Sequence, residues 1–266
     1  ESNKGWVESP GEPSYLADGS FLWTSDADGW RHLVLVKPDG AKVRQVTKGP
    51  WDVRQVLRVD EKADVVYFTG TKDNAIGLDF YAAPLKAEGG EPRRLTRQRG
   101  THSISLSPDG ALFVDRWSNG ETPDRSAVMT IEGELARTLD SNPMPERSDY
   151  EWPPFHQVQI PAKDGTILFG EVVLPARLDP RKHYPVWVHV YGGPRLPTVR
   201  DTWQGGRVSD RLMANDGFIV FRVDPRSASN HGAASGWAAY RKLGVTEVSD
   251  LEDAVRWLCA RYPNAD

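Results

Sequence analysis

The sequence predicts two fold classes in succession: a partial β-propeller of about three blades over residues 1–145, then an α/β domain over residues 146–266. Three observations carry this prediction. The first half repeats a strand, a turn and a second strand at intervals of roughly 40 to 50 residues. The second half alternates strands with helices. Between them, Pro143 to Pro154 form a Pro-rich, charged connector that is typical of a domain boundary.

A hairpin opens each predicted blade. Tyr15–Trp23 and Ser105–Val114 each contain a strand, an Asp-Gly turn and a second strand, and Leu57–Phe68 occupies the same slot with a less regular turn. Each unit then closes with a predicted outer strand, Val43–Thr47, Pro92–Thr96 or Leu135–Leu139. Because both the hairpin and the outer strand recur, blades are favoured over a β-sandwich with coincidental hairpins.

The second half opens with a predicted hairpin formed by Gln157–Ile160 and Ile167–Leu174. A buried strand over Val186–Val190 follows, then a helix from about 203 to 215 and a strand over Phe218–Val223. A last helix is predicted to begin near Ser249 or Asp250. Its apolar face would carry Val248, Leu251, Val255, Leu258 and Cys259. The thiol of Cys259 is therefore expected to be buried.

Composition limits the function classes. A net charge of −4 and a pI of about 5.9 argue against a nucleic-acid or acidic-membrane partner. One cysteine excludes an internal disulfide framework. No apolar run approaches the roughly 18 residues of a membrane helix, and no signal peptide opens the chain. Since the chain begins at Glu1, we expect it to be cut from a longer protein, and the compartment stays open.

The motif Tyr191-Gly192-Gly193-Pro194 directly follows a predicted strand. In α/β-hydrolases the loop after such a strand supplies part of the oxyanion hole, commonly through an HGGG-type sequence. No Gly-x-Ser-x-Gly nucleophile elbow occurs among the 266 residues. Ser227 and Ser235 lack the glycine spacing or the preceding strand of an elbow. The sequence thus predicts half of a hydrolase site in a partial α/β-hydrolase domain.

Three stretches resemble the prolyl oligopeptidase family of serine peptidases, and within it the dipeptidyl peptidase IV branch. They are Ser25–Leu33 with Gln45–Val53, Tyr184–Pro194, and Val223–Gly244 with Glu247–Leu251. The likeness is collinear over nearly the whole chain. It implies a propeller paired with an α/β-hydrolase domain, with the substrate cavity between the two. In one departure, the family's Asp-Gly-Arg-Gly-Ser is here Asp224-Pro225-Arg226-Ser227-Ala228.

The resemblance implies that Tyr191 donates its phenol O–H to the oxyanion, while the nucleophilic serine, the acid and the histidine lie beyond Asp266. The intact parent would release N-terminal dipeptides from peptides with proline or alanine second, without a cofactor, and is compatible with a homodimer. The 266 residues alone are expected to be inert. Trp6 to Pro13 also resembles a propeller segment that borders the substrate cavity in this branch.

Other candidate residues have simpler explanations. His189, in an apolar strand, is predicted to be a core histidine, and His231 is a weak candidate for the cavity. Asp26 and Asp28 precede Gly29 and fit a hairpin turn better than a calcium loop. The six histidines show no metal-ligand spacing. Asp224 and Arg226 are expected to hold their loop by ion pairs or backbone hydrogen bonds.

Three alternatives stay open at this point. The parent could be an endopeptidase or acylaminoacyl peptidase of the same fold, which the family's paired glutamates, absent here, would decide. It could be a binding protein that has kept the propeller and the sheet without the triad. An esterase is disfavoured, because the propeller-like half has no role in that plan.

Overall fold

The chain forms four four-stranded β-sheets in this computed structural model, which describes residues 5, 9, 11–86, 90–228 and 232–266. The chain divides into two compact units. The first runs to Trp117 and includes Arg125–Ser141 and a short segment ending at Ala234. The second contains Ser118–Asp124 and most of the chain from Asn142 onward. The domain boundary expected between residues 145 and 146 stays a prediction.

Three antiparallel sheets make up the first unit, each with its strands adjacent in chain order. The first sheet consists of β1 (Ser14–Tyr15), β2 (Phe21–Ser25), β3 (His32–Val36) and β4 (Lys42–Gln45). The second consists of β5 (Val53–Asp60), β6 (Val65–Gly70), β7 (Asp79–Pro84) and β8 (Arg93–Arg94). The third consists of β9 (Thr101–Leu106), β10 (Leu112–Ser118), β11 (Arg125–Thr130) and β12 (Leu135–Asp140). These sheets match the three predicted units, including their outer strands.

The hairpin turns form as their residues predict. Gly19 and Gly110 take φ of +82° and +75°, a left-handed conformation that glycine adopts without steric cost. The preceding aspartates close the turns: Asp18 accepts the Ser20 N–H at 2.9 Å, and Asp109 accepts the Ser107 hydroxyl at 2.6 Å. In the second sheet a non-glycine residue, Asp64, takes φ of +56°, which explains the irregular turn.

The core of the first unit lies between neighbouring sheets, because successive side chains of a strand point to opposite faces. On β7, Tyr81 and Ala83 face the first sheet, whereas Phe80 and Ala82 face the third. One layer is rich in stacked rings and comprises Leu22, Leu33, Leu35, Val46, Trp51, Val53, Val66, Phe68, Tyr81, Ala83 and Leu85. The other comprises Phe80, Ala82, Leu95, Phe113 and Met129. The middle sheet is thus covered on both faces.

Gly133, in the β11–β12 turn, is closely covered by another sheet. Its φ is +85°, and a Cβ there would lie 2.5 Å from the Leu95 carbonyl oxygen. We expect Gly133→Ala to lower the free energy of unfolding by about 1–3 kcal/mol more than Gly40→Ala. Gly40 also has φ of +85° but open space around it, so the pair share the left-handed backbone cost. Urea denaturation of the two variants measures the difference, and equal losses would contradict the close approach.

The second unit contains a mixed sheet in the order β13-β14-β16-β15. Its strands are β13 (Phe155–Pro161), β14 (Ile167–Val173), β15 (Val186–His189) and β16 (Ile219–Asp224). β15 and β16 are parallel, and the other pairs are antiparallel. The helices are two 3₁₀ turns (Pro145–Asp149, Gln204–Arg207), α1 (Val208–Asn215), α2 (Gly232–Trp237) and α3 (Val245–Arg261). The predicted hairpin, the helix over 203–215 and the strand that follows it are confirmed.

Helices α1 and α3 cover opposite faces of this sheet. Val220 packs with Ala214 of α1, whereas its neighbours Ile219 and Phe221 pack with Ala254 and Leu258 of α3. Within the described part of the chain, no helix combines the length and apolar character that crossing a membrane requires.

The strand predicted over Val186–Val190 is present, but the prediction that it is buried is wrong. β15 lies at the edge of the sheet, where β16 is its partner. Trp187 is 48% exposed and Val188 39% exposed. A run of apolar residues identifies a strand but does not specify its place in the sheet. Here the strand is an edge strand that, among the described residues, pairs with β16 alone.

The predicted start of the last helix is also wrong, and its predicted apolar face is only partly confirmed: Leu258 is buried and Leu251 packs against the sheet core, whereas Val248 and Val255 are exposed. α3 begins at Val245, four residues before Ser249, because the Glu247 carboxylate accepts the Gly244 N–H at 3.0 Å and caps the first turn. Its buried residues are Glu247, Asp250, Ala254 and Leu258. Cys259 is exposed, since this stripe turns it away from the sheet.

Candidate active site

Tyr191 lies two residues beyond the end of β15, at the start of the segment that we call the Tyr191 loop (residues 191–199). Gly192 takes φ of +73° there, and the tyrosine ring lies over Gly193, where a Cβ would come within 2.4 Å of a ring carbon. Gly192 therefore provides the turn, and Gly193 leaves room for the tyrosine ring. Tyr191 is 60% exposed, so its phenol is accessible to a ligand.

The loop stands at the carboxyl edge of the sheet. β15 and β16 are parallel with His189 opposite Arg222, and Tyr191 and Asp224 each follow that pair by two residues along their own segments. In α/β sheets, ligands bind outside the carboxyl ends of the parallel strands. The Tyr191 loop thus occupies the edge where a site is expected.

Asp224, the last residue of β16, anchors the far end of the Tyr191 loop. It is 1% exposed and accepts the backbone N–H groups of Thr198 and Val199, each at 2.8 Å to Oδ2. Its Oδ1 accepts the Thr198 hydroxyl at 2.7 Å. Burial raises the pKa of Asp224, and these hydrogen bonds oppose the shift by stabilising the carboxylate.

A second anchor holds the middle of the loop. The Arg195 N–H donates to the Ser227 carbonyl at 2.7 Å, and Arg195 takes the left-handed φ of +57°. Its side chain lies across Gly236, where a Cβ would approach within 3.0 Å. The loop is therefore pinned at residue 195 and at residues 198–199, while Tyr191 and Leu196 stay exposed.

A cavity of about 400 Å³ opens beside Tyr191. Loop residues form one wall, and Arg222 reaches it from β16. Its lining is Tyr191, Leu196, Pro197, Thr198, Arg200, Thr202, Gln204 and Arg222. The volume falls within the range of small-molecule and peptide side-chain sites.

A row of charged residues crosses the sheet beneath this cavity. Glu171, Arg222 and His189 are in register on three neighbouring strands. Arg207 donates to Glu171 at 2.5 Å, and Arg222 donates to Asp210 at 3.0 Å. Of these, Glu171, Arg207 and Asp210 are buried. Sequence reasoning missed this row, because strand register decides which charges meet.

His189 belongs to this row and is half-buried, so the prediction of a core histidine is wrong. Its Nε2 lies 3.2 Å from Oδ1 of Asp210 on α1. The edge position of β15 accounts for its exposure. The imidazole can pair with the aspartate but stands at the rim of the buried cluster.

Burial raises the pKa of Glu171 to about 7, and the charges of Arg207 and Arg222 limit the shift. Between pH 4.5 and 7 the folded chain thus holds a proton that the unfolded chain has released. The contribution of Glu171 to stability therefore falls as pH rises through this window, by up to about 3 kcal/mol. We expect Glu171→Gln to remove this part of the pH dependence. Urea denaturation of both proteins at pH 4.5 and 7 measures it, and parallel pH profiles would contradict it.

Neither serine considered from the sequence is arranged as a nucleophile. The Ser227 hydroxyl donates to the Glu247 carboxylate at 2.7 Å, and Ser235 lies within the short helix α2. An activated serine instead lies on a sharp strand-to-helix turn, and its hydroxyl donates a hydrogen bond to a general base.

His32 and His102 have structural roles. His32 contacts Thr47 and the Gly49 carbonyl, and His102 pairs with Asp115 at 2.9 Å. His231 lies outside the described residues, as does half of the N-terminal segment from Trp6 to Pro13. The turn at Asp26 and Asp28 is a hairpin turn, as predicted. Among the described residues, no group of three or more His, Cys, Asp or Glu side chains is placed to hold a metal ion.

The expected roles of Asp224 and Arg226 in their loop are confirmed. Arg226 forms a bidentate pair with buried Asp250, at 2.7 Å for the shortest contact, and also contacts Asp164 at 2.6 Å. Asp250 further accepts the Arg226 backbone N–H at 2.8 Å. The turn after β16 is thus fixed to α3, and through the Ser227 carbonyl it supports the Tyr191 loop.

Comparison with known proteins shows similarity to dipeptidyl peptidases in sequence and in structure. Residues 1–124 match the model described as the dipeptidyl peptidase IV (DPP IV) N-terminal region. Dipeptidyl peptidase 4 of Trichophyton equinum is 26% identical over 97% of this chain and 34% of its own length. That of Arthroderma otae is 26% identical over 94% of this chain and 33% of its own length.

A crystal structure of Porphyromonas gingivalis dipeptidyl peptidase 4 matches with a TM-score of 0.82. It is 27% identical, and the match covers 96% of this chain and 36% of that one. The chain therefore spans about a third of the length of these relatives. The match to the N-terminal region and the structural match confirm the β-propeller predicted for the first half.

Proposed function

The chain belongs to the dipeptidyl peptidase IV family, and we propose that it is part of a serine peptidase that releases N-terminal dipeptides from peptides with proline or alanine in the second position. In this proposal residues 1–145 are the C-terminal part of a β-propeller domain. Residues 146–266 are the N-terminal part of an α/β-hydrolase domain, and the whole protein forms a homodimer.

One observation carries the proposal: the exposed phenol of Tyr191 stands on a pinned loop at the carboxyl edge of a parallel strand pair, beside a cavity. Helices on opposite faces of the mixed sheet fit the α/β-hydrolase plan. The HGGG-type loop of these enzymes occupies the same kind of position.

The proposed chemistry assigns this chain one part of an acyl transfer. A serine oxygen attacks the peptide carbonyl carbon, and the carbonyl oxygen becomes an oxyanion that needs donors in place before it forms. Tyr191 O–H is one donor, and a backbone N–H after the serine is the other. The peptide C–N bond then breaks, the amine leaves with a proton from the histidine, and water hydrolyses the acyl ester. The serine, acid and histidine would follow residue 266.

Sequencing the gene for about thirty codons past Asp266 is the first test. A short apolar strand followed by Gly-x-Ser-x-Gly would give Tyr191 its serine. A stop codon, or a reading frame without that serine, would overturn the peptidase proposal in favour of a binding protein that has kept the propeller and the sheet.

A substrate pair then tests the specificity. We expect the whole protein to hydrolyse Gly-Pro-p-nitroanilide and to leave its N-acetylated form intact, because a dipeptidyl peptidase requires a free N-terminus. Cleavage of the acetylated substrate instead would indicate an acylaminoacyl peptidase or prolyl endopeptidase of the same fold. Light scattering coupled to size exclusion tests the homodimer.

A further inference from the structure

Asp224 is a buried carboxylate with no part in the proposed acyl transfer. It is the last residue of β16, and both of its carboxylate oxygens accept hydrogen bonds from the loop that carries Tyr191. A buried aspartate without such partners would be costly, so its contacts decide what it does.

We propose that Asp224 is a positioning residue for the reaction, holding the Tyr191 loop so that the phenol O–H points to the oxyanion. This inference rests on the proposed function, since it requires Tyr191 to act as an oxyanion donor.

The geometry supports a direct mechanical connection. Tyr191 follows the end of β15, Asp224 ends the neighbouring parallel strand β16, and Asp224 holds Thr198 and Val199 through two backbone N–H groups and one hydroxyl. Val199 is itself 1% exposed, so this end of the loop is fixed in the protein interior. The stretch from Tyr191 to Pro197 then spans two fixed points, β15 and the Asp224 contacts.

Precise placement matters because a displacement of about 1 Å at a reacting group can cost a hundredfold in rate. Hydrogen bonds to a carboxylate are roughly twice as strong as neutral ones. An asparagine at position 224 keeps the shape but turns one oxygen into an N–H₂ donor, which opposes the N–H of Thr198 or Val199. The loop would then shift while the fold is kept.

The test compares Asp224→Asn with the unmodified whole peptidase on Gly-Pro-p-nitroanilide. We expect kcat to fall at least tenfold with KM within twofold. Amide hydrogen exchange at Thr198 and Val199 is expected to speed up at least tenfold. Asp253→Asn is the matched control: its carboxylate accepts the Lys163 N–H at 2.9 Å, away from the loop, and kcat should stay within twofold.

A double-variant cycle distinguishes positioning from general destabilisation. If Asp224 acts through Tyr191, Asp224→Asn should change kcat less than twofold in a Tyr191→Phe background. A full tenfold loss in that background would overturn the proposal, as would unchanged kcat despite faster exchange. Should Asp224→Asn fail to fold, Thr198→Val removes the hydroxyl contact alone. Its kcat should fall at least twofold, and this loss should disappear in the Tyr191→Phe background.

Failure of the proposed function gives a different result. An unmodified protein that hydrolyses no dipeptidyl substrate overturns that function, and with it the role of Asp224 in catalysis. Faster amide exchange in Asp224→Asn would still be seen then, because it reports on the loop alone.

Discussion

If the proposed function holds, replacing Tyr191 with phenylalanine is expected to lower kcat of the whole protein about a hundred- to a thousandfold, with KM within a few-fold. The change removes one hydroxyl from a side chain that is 60% exposed, so the folded structure should lose little stability. Its ring remains to pack over Gly193. An interaction made mainly with the oxyanion lowers kcat and kcat/KM together. Steady-state kinetics on Gly-Pro-p-nitroanilide measures both.

Tyr184→Phe is the matched control for this experiment. Tyr184 lies in the same unit, and its hydroxyl accepts the Asp179 N–H at 2.8 Å. Removing that hydroxyl should cost about 1 kcal/mol of stability and leave kcat within twofold. A fall of less than fivefold for Tyr191→Phe, or equal falls for both variants, would mean that Tyr191 is not an oxyanion donor.

Local chemistry explains why the first half could be predicted from sequence. The Asp-Gly turns at Gly19 and Gly110 need a left-handed residue after an aspartate, and both requirements are visible in adjacent letters. The same holds for Tyr191, since a strand followed by two glycines forms a turn wherever the strand lies. Such features depend on neighbours in the chain, so they need no knowledge of the tertiary structure.

The sequence-based predictions fail where contacts with residues far away in the chain determine which side chains are buried. The apolar residues of α3 predict one buried face, yet its buried stripe also includes Glu247 and Asp250. These carboxylates are buried because Ser227 and Arg226 bind them from the turn after β16. Once they face inward, Cys259 must face outward. A charged residue carries no sign in the sequence that it will be buried.

The row of charged residues under the site could not be predicted from the sequence for a related reason. Glu171, Arg222 and His189 are separated by up to 51 positions in the chain and meet through strand register. A shift of one residue would move each to the other face of the sheet. The contacts between Asp224 and the Tyr191 loop depend on the same register.

Replacing Arg207 with methionine is expected to lower the free energy of unfolding by about 3–5 kcal/mol at pH 8.5, where Glu171 is ionised. Arg207 is 5% exposed and donates to Glu171, which is 2% exposed. Its guanidinium also contacts Gln204 at 2.7 Å and the Phe155 ring at 5.3 Å. Methionine keeps much of the apolar packing, so the main loss is the partner of a buried carboxylate. Urea denaturation at pH 8.5 measures it.

The pH dependence and a second variant separate this cause from lost packing. Without Arg207 the pKa of Glu171 should rise further, so at pH 5.5 the carboxyl is neutral and the cost of Arg207→Met should be smaller than at pH 8.5. Glu171→Gln in the same chain removes the charge at every pH, and the double variant should be more stable at pH 8.5 than Arg207→Met alone. A cost that is equal at both pH values, with additive effects of the two changes, would mean that Arg207 stabilises the sheet by packing and that the ion pair contributes nothing. The predicted outcome instead makes the Glu171 carboxylate dependent on Arg207: the negative charge is tolerated under the cavity because the guanidinium is present.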